Sequence, residues 1–454
     1  MQKHLKKSLF LFALLILIAS WMTACSTDVA EPGEQPDQTS EEGGAESNGE
    51  SAEEPWAYHG DPVTLKMLIW IDEITFNSRY KEQIEAQFPN IKLELISGNP
   101  VGSEFIQELI AKGEMPDINV GNPSKELVEN LDFLMPIDEY IEKTNFDLSI
   151  FQEGIVDNLR SLDPLGQGHL YGLPVENSVR ALFYNKDIFD LFGEPYPEDD
   201  MTWDEVLEIA SRLTVNREGV QYRGLVLAPN STPFMQLGVP GTDPQTGEIV
   251  FADDPRTKKF FELLDRYRSI PGIVNPDTKN NPDGFSDGKQ NIAMWVNNSP
   301  WLELLTRVEG FNFDMAAVPT WADMPNIAPT WGALPFNITK HSKNKDAAWS
   351  VISYLASEQG QIALSQAGSP PVIKSEEAIR EFTSMHVKEE YNVTAPFSQT
   401  LAKLAPYSPY DESFSDFIAT KSAEFLTSDQ DAVQFIRKIA EEYSVIVDEV
   451  KGRK

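Results

Sequence analysis

Short apolar runs and stretches of helical periodicity follow one another along most of this chain. Residues 63–70, 91–96 and 117–120 are apolar or partly alternating runs of strand length, bounded by polar and turn residues. Residues 76–88 and 103–112 lie between these runs and repeat their apolar positions every three to four residues, as helices do. Strand–helix–strand–helix–strand with short links predicts a parallel sheet with right-handed crossovers.

The middle of the chain carries the same kinds of pattern, with clearer signals at the ends of its helices. The predicted elements are helices at 134–141, 151–159, 188–192 and 203–213 and a strand at 179–184. Ser103 precedes a helical pattern and is predicted to cap it. Thr202 with Glu205 three residues later predicts a capping box, and Trp203 between them is interpreted as a packing residue at the helix start.

A later stretch combines an apolar run with amides and a tryptophan. Residues 286–289 are predicted as a short helical piece and 292–296 as an apolar strand. Asn297 and Asn298 follow, and another helix is predicted to start at Pro300 and Trp301. Backbone N–H groups at a helix start and an indole face could together hold a polar ligand with a flat apolar side. Burial of Trp301 in the core is the alternative from this stretch alone.

The predicted parallel sheet points to a second group of candidate residues. Ligands of such sheets bind beyond the carboxyl ends of the strands. Trp70, Asp72 and Glu73 follow the first strand, and Asn122 follows the third. Simple solvation at the surface is the alternative for the two carboxylates.

The first residues are interpreted as a targeting segment. Lysines precede an apolar run at 9–18, about half the length that spans a membrane, and small residues then lead to Cys25. This order resembles a lipobox. It predicts a lipoprotein signal peptide at 1–24 and a lipidated, palmitate-bearing Cys25. The alternative is a plain secretory signal in which the cysteine occurs by chance. Residues 25–62 are rich in Glu, Gly, Ser and Pro and are predicted to form a disordered acidic tether.

Composition narrows the function classes. The net charge of −34 argues against a nucleic-acid partner, because phosphate binding needs a basic face. Cys25 is the only cysteine, so the mature domain has neither a disulfide nor thiol chemistry. No Gly-x-Ser-x-Gly elbow, His-Glu-x-x-His motif or Cys/His metal set occurs, so no cofactor and no metal site are predicted.

Several pieces, taken in order, resemble one family. They are residues 171–174 (YGLP), 182–187 (LFYNKD), 201–206 (MTWDEV), 285–294, 299–301 (SPW), 318–319, 338–345 and 347–355. The set is similar to the extracellular solute-binding proteins of ABC importers, in the carbohydrate-binding, maltose-binding-protein-like group. The likeness covers about 63–371, and it agrees with the lipobox.

The resemblance implies a type II periplasmic-binding-protein-like α/β fold. Each of its two lobes would be a mixed sheet flanked by helices, with the ligand in a cleft between them. Mapped onto this chain, 63–176 plus 319–356 would form the N-terminal lobe. Residues 177–318 plus 357–454 would form the C-terminal lobe.

The resemblance also ranks the site residues. Trp301 would stack on a sugar face, with Asn298 beside it, and Asp72 and Glu73 would make polar contacts. The crossing segment would offer Glu176 or Ser178 to sugar hydroxyls. Trp331 and Gly332 precede a strand that returns through the first lobe, where the family has a Gly-rich loop near the cleft.

The implied function is a lipid-anchored receptor on the extracellular face of the cell membrane. It would act as a monomer, capture a sugar or oligosaccharide and deliver it to an ABC permease, without being an enzyme. Two alternatives stay open: a surface glycoside-acting enzyme, which needs two suitably spaced carboxylates, and a sensor subunit that presents its ligand to a receptor.

Overall fold

A computed structural model describes residues 56–177, 179–228, 230–274, 284–329, 332–385, 387 and 391–452. Its strands are β1 (Val63–Ile69), β2 (Ile91–Ser97), β3 (Ile118–Val120), β4 (Gly172–Glu176), β5 (Arg180–Asn185), β6 (Asn216–Arg217), β7 (Val220–Gln221), β8 (Val226–Leu227), β9 (Met294–Asn298), β10 (Phe313–Ala317), β11 (Ile327–Ala328), β12 (Leu334–Ile338) and β13 (Thr400–Leu401).

Its α-helices are α1 (Glu73–Phe76), α2 (Glu82–Gln87), α3 (Ser103–Lys112), α4 (Asp138–Thr144), α5 (Ile155–Ser161), α6 (Lys186–Phe192), α7 (Trp203–Leu213), α8 (Thr232–Met235), α9 (Pro255–Arg268), α10 (Trp301–Thr306), α11 (Lys345–Ala356), α12 (Glu358–Gln366), α13 (Glu376–Arg380), α14 (Phe414–Phe425) and α15 (Ala432–Gly452). Two π-helical segments, Asn77–Lys81 and Glu126–Asn130, and two 3-10 turns, Leu148–Ile150 and Ala395–Phe397, complete the helical structure of these residues.

The first sheet has the strand order β2-β1-β3-β12-β4. Strand β1 pairs in parallel with β2 and β3, which confirms the predicted strand–helix–strand arrangement. Strand β12 returns much later in the chain and runs antiparallel to both β3 and β4, so the sheet is mixed. The carboxyl ends of β1 and β3 therefore meet at one edge of the sheet.

The second sheet has the order β10-β5-β9-β8 and is largely antiparallel. Buried side chains of α7, α9, α14 and α15 pack in one core with this sheet, so the chain beyond residue 414 belongs to the same packed unit. Trp203 is 1% exposed within this core, which confirms it as a packing residue. The first sheet has a separate core, and the two cores define two lobes.

The core of the first lobe continues beyond α11. Leu364 of α12, then Val372, Ile373 and Ala378, belong to the same buried cluster as β1 and β3. Trp321 instead lies in the buried cluster of the second sheet. The lobe boundaries expected at residues 319 and 357 therefore do not coincide with where side chains change from one core to the other. The order of motifs along the chain does not reveal in which core a given side chain is buried.

Helix ends show where local signals suffice. Thr202 accepts a hydrogen bond from the Glu205 N–H at 3.3 Å while Glu205 accepts from the Thr202 N–H at 2.8 Å, so the predicted capping box is confirmed. The prediction for Ser103 is wrong: Gly102 is the N-cap, and Ser103 is the first helical residue, without a side-chain cap. Residues 286–289 form bends and turns rather than the predicted helical piece.

Candidate functional site

A cavity of about 1070 Å³ opens at the carboxyl ends of β1 and β3. One wall comes from the first lobe, with residues 69–71, 99–103 and 120–126. The other wall comes from residues 231–241, around α8, and from the tail segment 403–418. The cavity thus lies where parallel strands end and where two separately packed regions face each other, which is the usual position of a ligand in α/β folds.

The first wall presents an aromatic surface and an amide. Trp70 directly follows β1, lines the cavity and is 73% exposed, while Asn122 follows β3 and is exposed too. Gly121 allows the loop 99–103 to approach, because a Cβ there would lie 2.8 Å from Cγ1 of Val101. The structure therefore brings Trp70 and Asn122 together at the edge where the sequence predicts a site.

Glu176 also lines the cavity, at the end of β4. Its Oε1 accepts hydrogen bonds from the hydroxyls of Tyr80 and Ser369 and lies 3.5 Å from Nη1 of Arg79. Burial is the largest influence on the pKa of Arg79 and lowers it, but Glu176, Tyr80 and Glu303 together outweigh burial, so the pKa is raised. The charge of Glu176 is therefore largely compensated by protein groups, and Oε2 makes none of these contacts.

The tail supplies much of the second wall, and one carboxylate fixes it there. Asp411 accepts from the N–H groups of Gly241 at 2.9 Å and Thr242 at 3.0 Å and from the Thr242 hydroxyl at 2.8 Å. Burial raises the pKa of Asp411 and these hydrogen bonds lower it; burial has the larger effect, so the pKa is raised overall. No site residue was predicted in 403–418; the signal that could have found it is the run of prolines and tyrosines at 406–410.

Ser231 adds a polar group to the same wall. The residue lines the cavity and is 3% exposed, and its hydroxyl has no hydrogen-bond partner among the described residues. Buried hydroxyls are nearly always paired, so an unpaired one on a residue of the cavity wall is a candidate contact for a ligand.

Several predicted site residues lie elsewhere, outside the lining of this cavity. Asp72 caps α1, accepting from the N–H groups of Ile74 at 2.9 Å and Thr75 at 3.0 Å, and hydrogen bonds from Thr75 lower the pKa of its carboxyl group. Glu73 is exposed as the first residue of that helix. Both therefore stay predictions as ligand contacts.

Trp301 begins α10, is 37% exposed, and its ring lies 5.0 Å from that of Trp295 between centroids. Asn298 ends β9, and its Oδ1 is buried without a hydrogen-bond partner among the described residues. Gly332 has a φ of +76° and packs near Leu404 of the tail. Ser178, Trp331 and Cys25 lie outside the described residues.

The described residues offer neither a metal site nor a membrane-spanning helix. No group of His, Cys, Asp and Glu side chains in the described ranges is arranged to hold a metal ion. Within those same ranges, every helix is too short or too polar to cross a bilayer.

The geometry favours a solute with both apolar and polar faces. An exposed indole offers a stacking surface, and the amide of Asn122 and the hydroxyl of Ser231 offer directional hydrogen bonds. The volume is large enough for more than one sugar-sized ring, because ligand pockets commonly measure about 300–1,000 Å³.

The chain is similar to known proteins both in sequence and in structure. The family model described as bacterial extracellular solute-binding protein matches residues 73–362, more than half of the chain. A putative binding protein of Brucella abortus is 25% identical over 261 residues, which are 55% of this chain. The match spans only 61% of that relative's own length.

Solved structures match a larger part of the chain than this relative does. A sugar transporter from Rhizobium etli, in an open conformation, has a TM-score of 0.66 at 19% identity, covering 84% of this chain and 99% of its own. An ABC substrate-binding protein from Listeria monocytogenes, in complex with cycloalternan, has a TM-score of 0.64 at 18% identity, covering 85% and 99%. These likenesses confirm the predicted two-lobed, type II periplasmic-binding-protein-like fold.

Proposed function

The chain belongs to the bacterial extracellular solute-binding protein family, and from this premise we propose that it captures a sugar or oligosaccharide between its lobes and delivers it to an ABC permease. The observation that carries the proposal is the cavity of about 1070 Å³ between the ends of β1 and β3 and the tail, with Trp70 exposed at its wall. Two structural neighbours, a sugar transporter and a substrate-binding protein in complex with cycloalternan, support a sugar as the ligand.

Ligand capture is proposed to close the lobes. The segments that cross between them would lie near 177–179, near 318–333 and near 380–402, since the buried clusters change sheet in these regions. A ligand that contacts both walls stabilises the closed arrangement, because it interacts with that arrangement more strongly than with the open one. On this proposal the lobe boundaries would lie within these crossings rather than at residues 319 and 357.

A thermal-shift screen over mono- and oligosaccharides tests the ligand class. A sugar at 100 times its dissociation constant should add about 2.7 kcal/mol to the free energy of unfolding. Recovery of the sugar intact afterwards would distinguish a binding protein from a glycoside-acting enzyme. A protein that no saccharide stabilises, or one that releases cleavage products, would contradict the proposal.

Membrane attachment is a separate part of the proposal. We infer from the sequence that Cys25 is lipidated and that the protein is held on the extracellular face of the membrane as a monomer. Cells that express the wild type should retain it in the membrane fraction and label it with palmitate. A Cys25→Ser variant should lose the label and appear in the medium, and equal retention of both forms would exclude a lipid anchor at this residue.

A further inference from the structure

The cavity between the lobes is lined by charges of predominantly one sign. Five carboxylate side chains line it, against a single ammonium group, that of Lys403, among the described lining residues. The carboxylates are Glu126 on the first wall, Glu176 at the end of β4, and Asp411, Glu412 and Asp416 on the second wall. An anionic solute would therefore enter against an unfavourable potential.

Two of these carboxylates are used by the fold itself. Glu176 is compensated by Arg79, and Asp411 accepts three hydrogen bonds from Gly241 and Thr242. Glu126, Glu412 and Asp416 differ from them, because no Lys or Arg of the described residues forms an ion pair with any of the three. Three carboxylates without an ion pair among the described residues thus remain, on both walls.

The pKa of the Tyr407 hydroxyl is influenced by carboxylates of the tail and of the first lobe. Burial raises the pKa of its hydroxyl most, followed by Glu412, which accepts its hydrogen bond at 3.3 Å. Glu129 and Asp163 of the first lobe raise the pKa of the same group further. Carboxylates of the first lobe and of the tail therefore act on one residue of the second wall.

Two uncharged groups lie in the same cavity as the acidic side chains. The hydroxyl of Ser231 is buried without a partner among the described residues and lines the same cavity. The indole of Trp70, 73% exposed, offers a face that attracts a cation as well as an apolar ring surface.

We infer that the solute selected by this cavity carries protonated amine groups on a hydroxyl-bearing body, which is the chemistry of an amino-sugar oligomer; the inference rests on the proposed function. Closure of the lobes brings Glu126 toward Glu412 and Asp416, and like charges on approaching walls oppose closure. A cationic guest between the walls removes that opposition, whereas a neutral sugar leaves it in place.

Calorimetric titration of the purified protein with matched trimers tests this inference. The probes are the β-1,4-linked glucosamine trimer, its N-acetylated form, and the neutral cellotriose and maltotriose, at a pH at which the free amines are protonated. We expect the glucosamine trimer to bind at least about tenfold more tightly than any neutral trimer at low salt. This preference should shrink in 1 M salt, where the Debye length is about 3 Å.

A pair of double variants assigns the effect to the cavity. Glu412→Gln with Asp416→Asn should reduce the preference for the glucosamine trimer to about threefold or less. The double variant removes two of the three carboxylates to which the preference is attributed, and their contributions are expected to add. Glu441→Gln with Asp448→Asn changes the net charge equally on exposed positions of α15 and should leave the preference unchanged.

Each outcome bears on a different statement. A neutral trimer that binds as tightly as the glucosamine trimer would overturn the inference and leave the proposed function intact. Equal effects of the two double variants would assign the preference to the overall charge and would also overturn it. Absence of binding by all four trimers would overturn the inference alone if the thermal-shift screen finds another saccharide that binds. If no saccharide of that screen binds either, the proposed function is contradicted together with the inference.

Discussion

The hydroxyl of Tyr80 donates a hydrogen bond to Oε1 of Glu176, and so connects the helical stretch after β1 with the end of β4. Tyr80 is fully buried, and its ring lies 5.7 Å from that of Phe336 on β12. Burial and the facing carboxylate raise the pKa of Tyr80 well above its usual value, so the hydroxyl keeps its proton and remains a donor. This contact holds Glu176 where the chain leaves the first lobe.

Replacing Tyr80 by Phe removes that donor and leaves a partly buried carboxylate with fewer partners. Tyr80→Phe should lower the free energy of unfolding by about 1–3 kcal/mol, measured by urea denaturation. Tyr196→Phe is the matched control, because the Tyr196 hydroxyl also donates to a carboxylate, Asp190 at 2.7 Å, but the residue is 40% exposed. The control should change stability by less than about 0.5 kcal/mol. Similar small losses in both variants would mean that Tyr80 does not support Glu176.

Asp254 should contribute a pH-dependent part of the stability. It caps α9 by accepting from the Arg256 N–H at 2.8 Å, and it pairs with the guanidinium of Arg256 at 2.6 Å. The hydrogen bonds from the Arg256 side chain lower the pKa of Asp254 below its unfolded value of about 3.9. The stabilisation is therefore present above pH ~4 and is lost as the pH falls through the folded pKa.

Asp254→Asn keeps the shape of the cap and removes the charge. We expect a loss of about 1 kcal/mol at pH 7 and a smaller difference from the wild type at pH 3, measured by urea denaturation at both values. Asp253→Asn, at the exposed neighbouring position, should show no such pH dependence. A difference from the wild type that is the same at pH 7 and pH 3 would show that the ion pair contributes nothing.

Signals between residues close in sequence predicted the fold better than they predicted the site. The capping box of Thr202 and Glu205 lies within four consecutive residues, and the parallel strands have apolar runs of their own. The second wall has no such signal, because Asp411 reaches it by bonding Gly241, 170 residues earlier. Trp70 and Asn122 could be placed in advance since any parallel sheet directs its strand ends to one edge, whereas the path of a helical tail depends on packing that no local pattern encodes.

Trp70 and Trp301 should differ in what their loss does to the free protein. Trp70 is 73% exposed, so Trp70→Ala should change the apo stability by less than about 0.5 kcal/mol. Its removal from the cavity wall should nevertheless abolish most of the melting-temperature shift that a bound saccharide produces. A full shift in Trp70→Ala would exclude stacking on this indole.

Trp301 is the matched comparison. Its ring makes an edge contact with Trp295 at 5.0 Å, so Trp301→Ala should lower the apo stability by about 1 kcal/mol. If Trp301 also stacks on the sugar, as the resemblance implies, the saccharide-induced shift is lost in this variant too. Retention of the shift in Trp301→Ala and its loss in Trp70→Ala would locate the sugar at the first wall.

Ser231 should show opposite effects on stability and on binding. Its buried hydroxyl has no partner among the described residues, so Ser231→Ala should leave the apo stability unchanged or raise it by up to about 1 kcal/mol. A ligand that uses this hydroxyl should bind about three- to tenfold more weakly to the variant, the loss expected for one hydrogen bond.

Thr257→Val provides the control for Ser231→Ala. The Thr257 hydroxyl is also buried without a partner among the described residues, but it lies on α9 and does not line the cavity. Thr257→Val should therefore reproduce the effect on apo stability and leave the affinity unchanged, as measured by calorimetry and thermal denaturation. If Ser231→Ala instead destabilised the free protein and left the affinity intact, the hydroxyl would serve the fold, and the second wall would bind its solute through other groups.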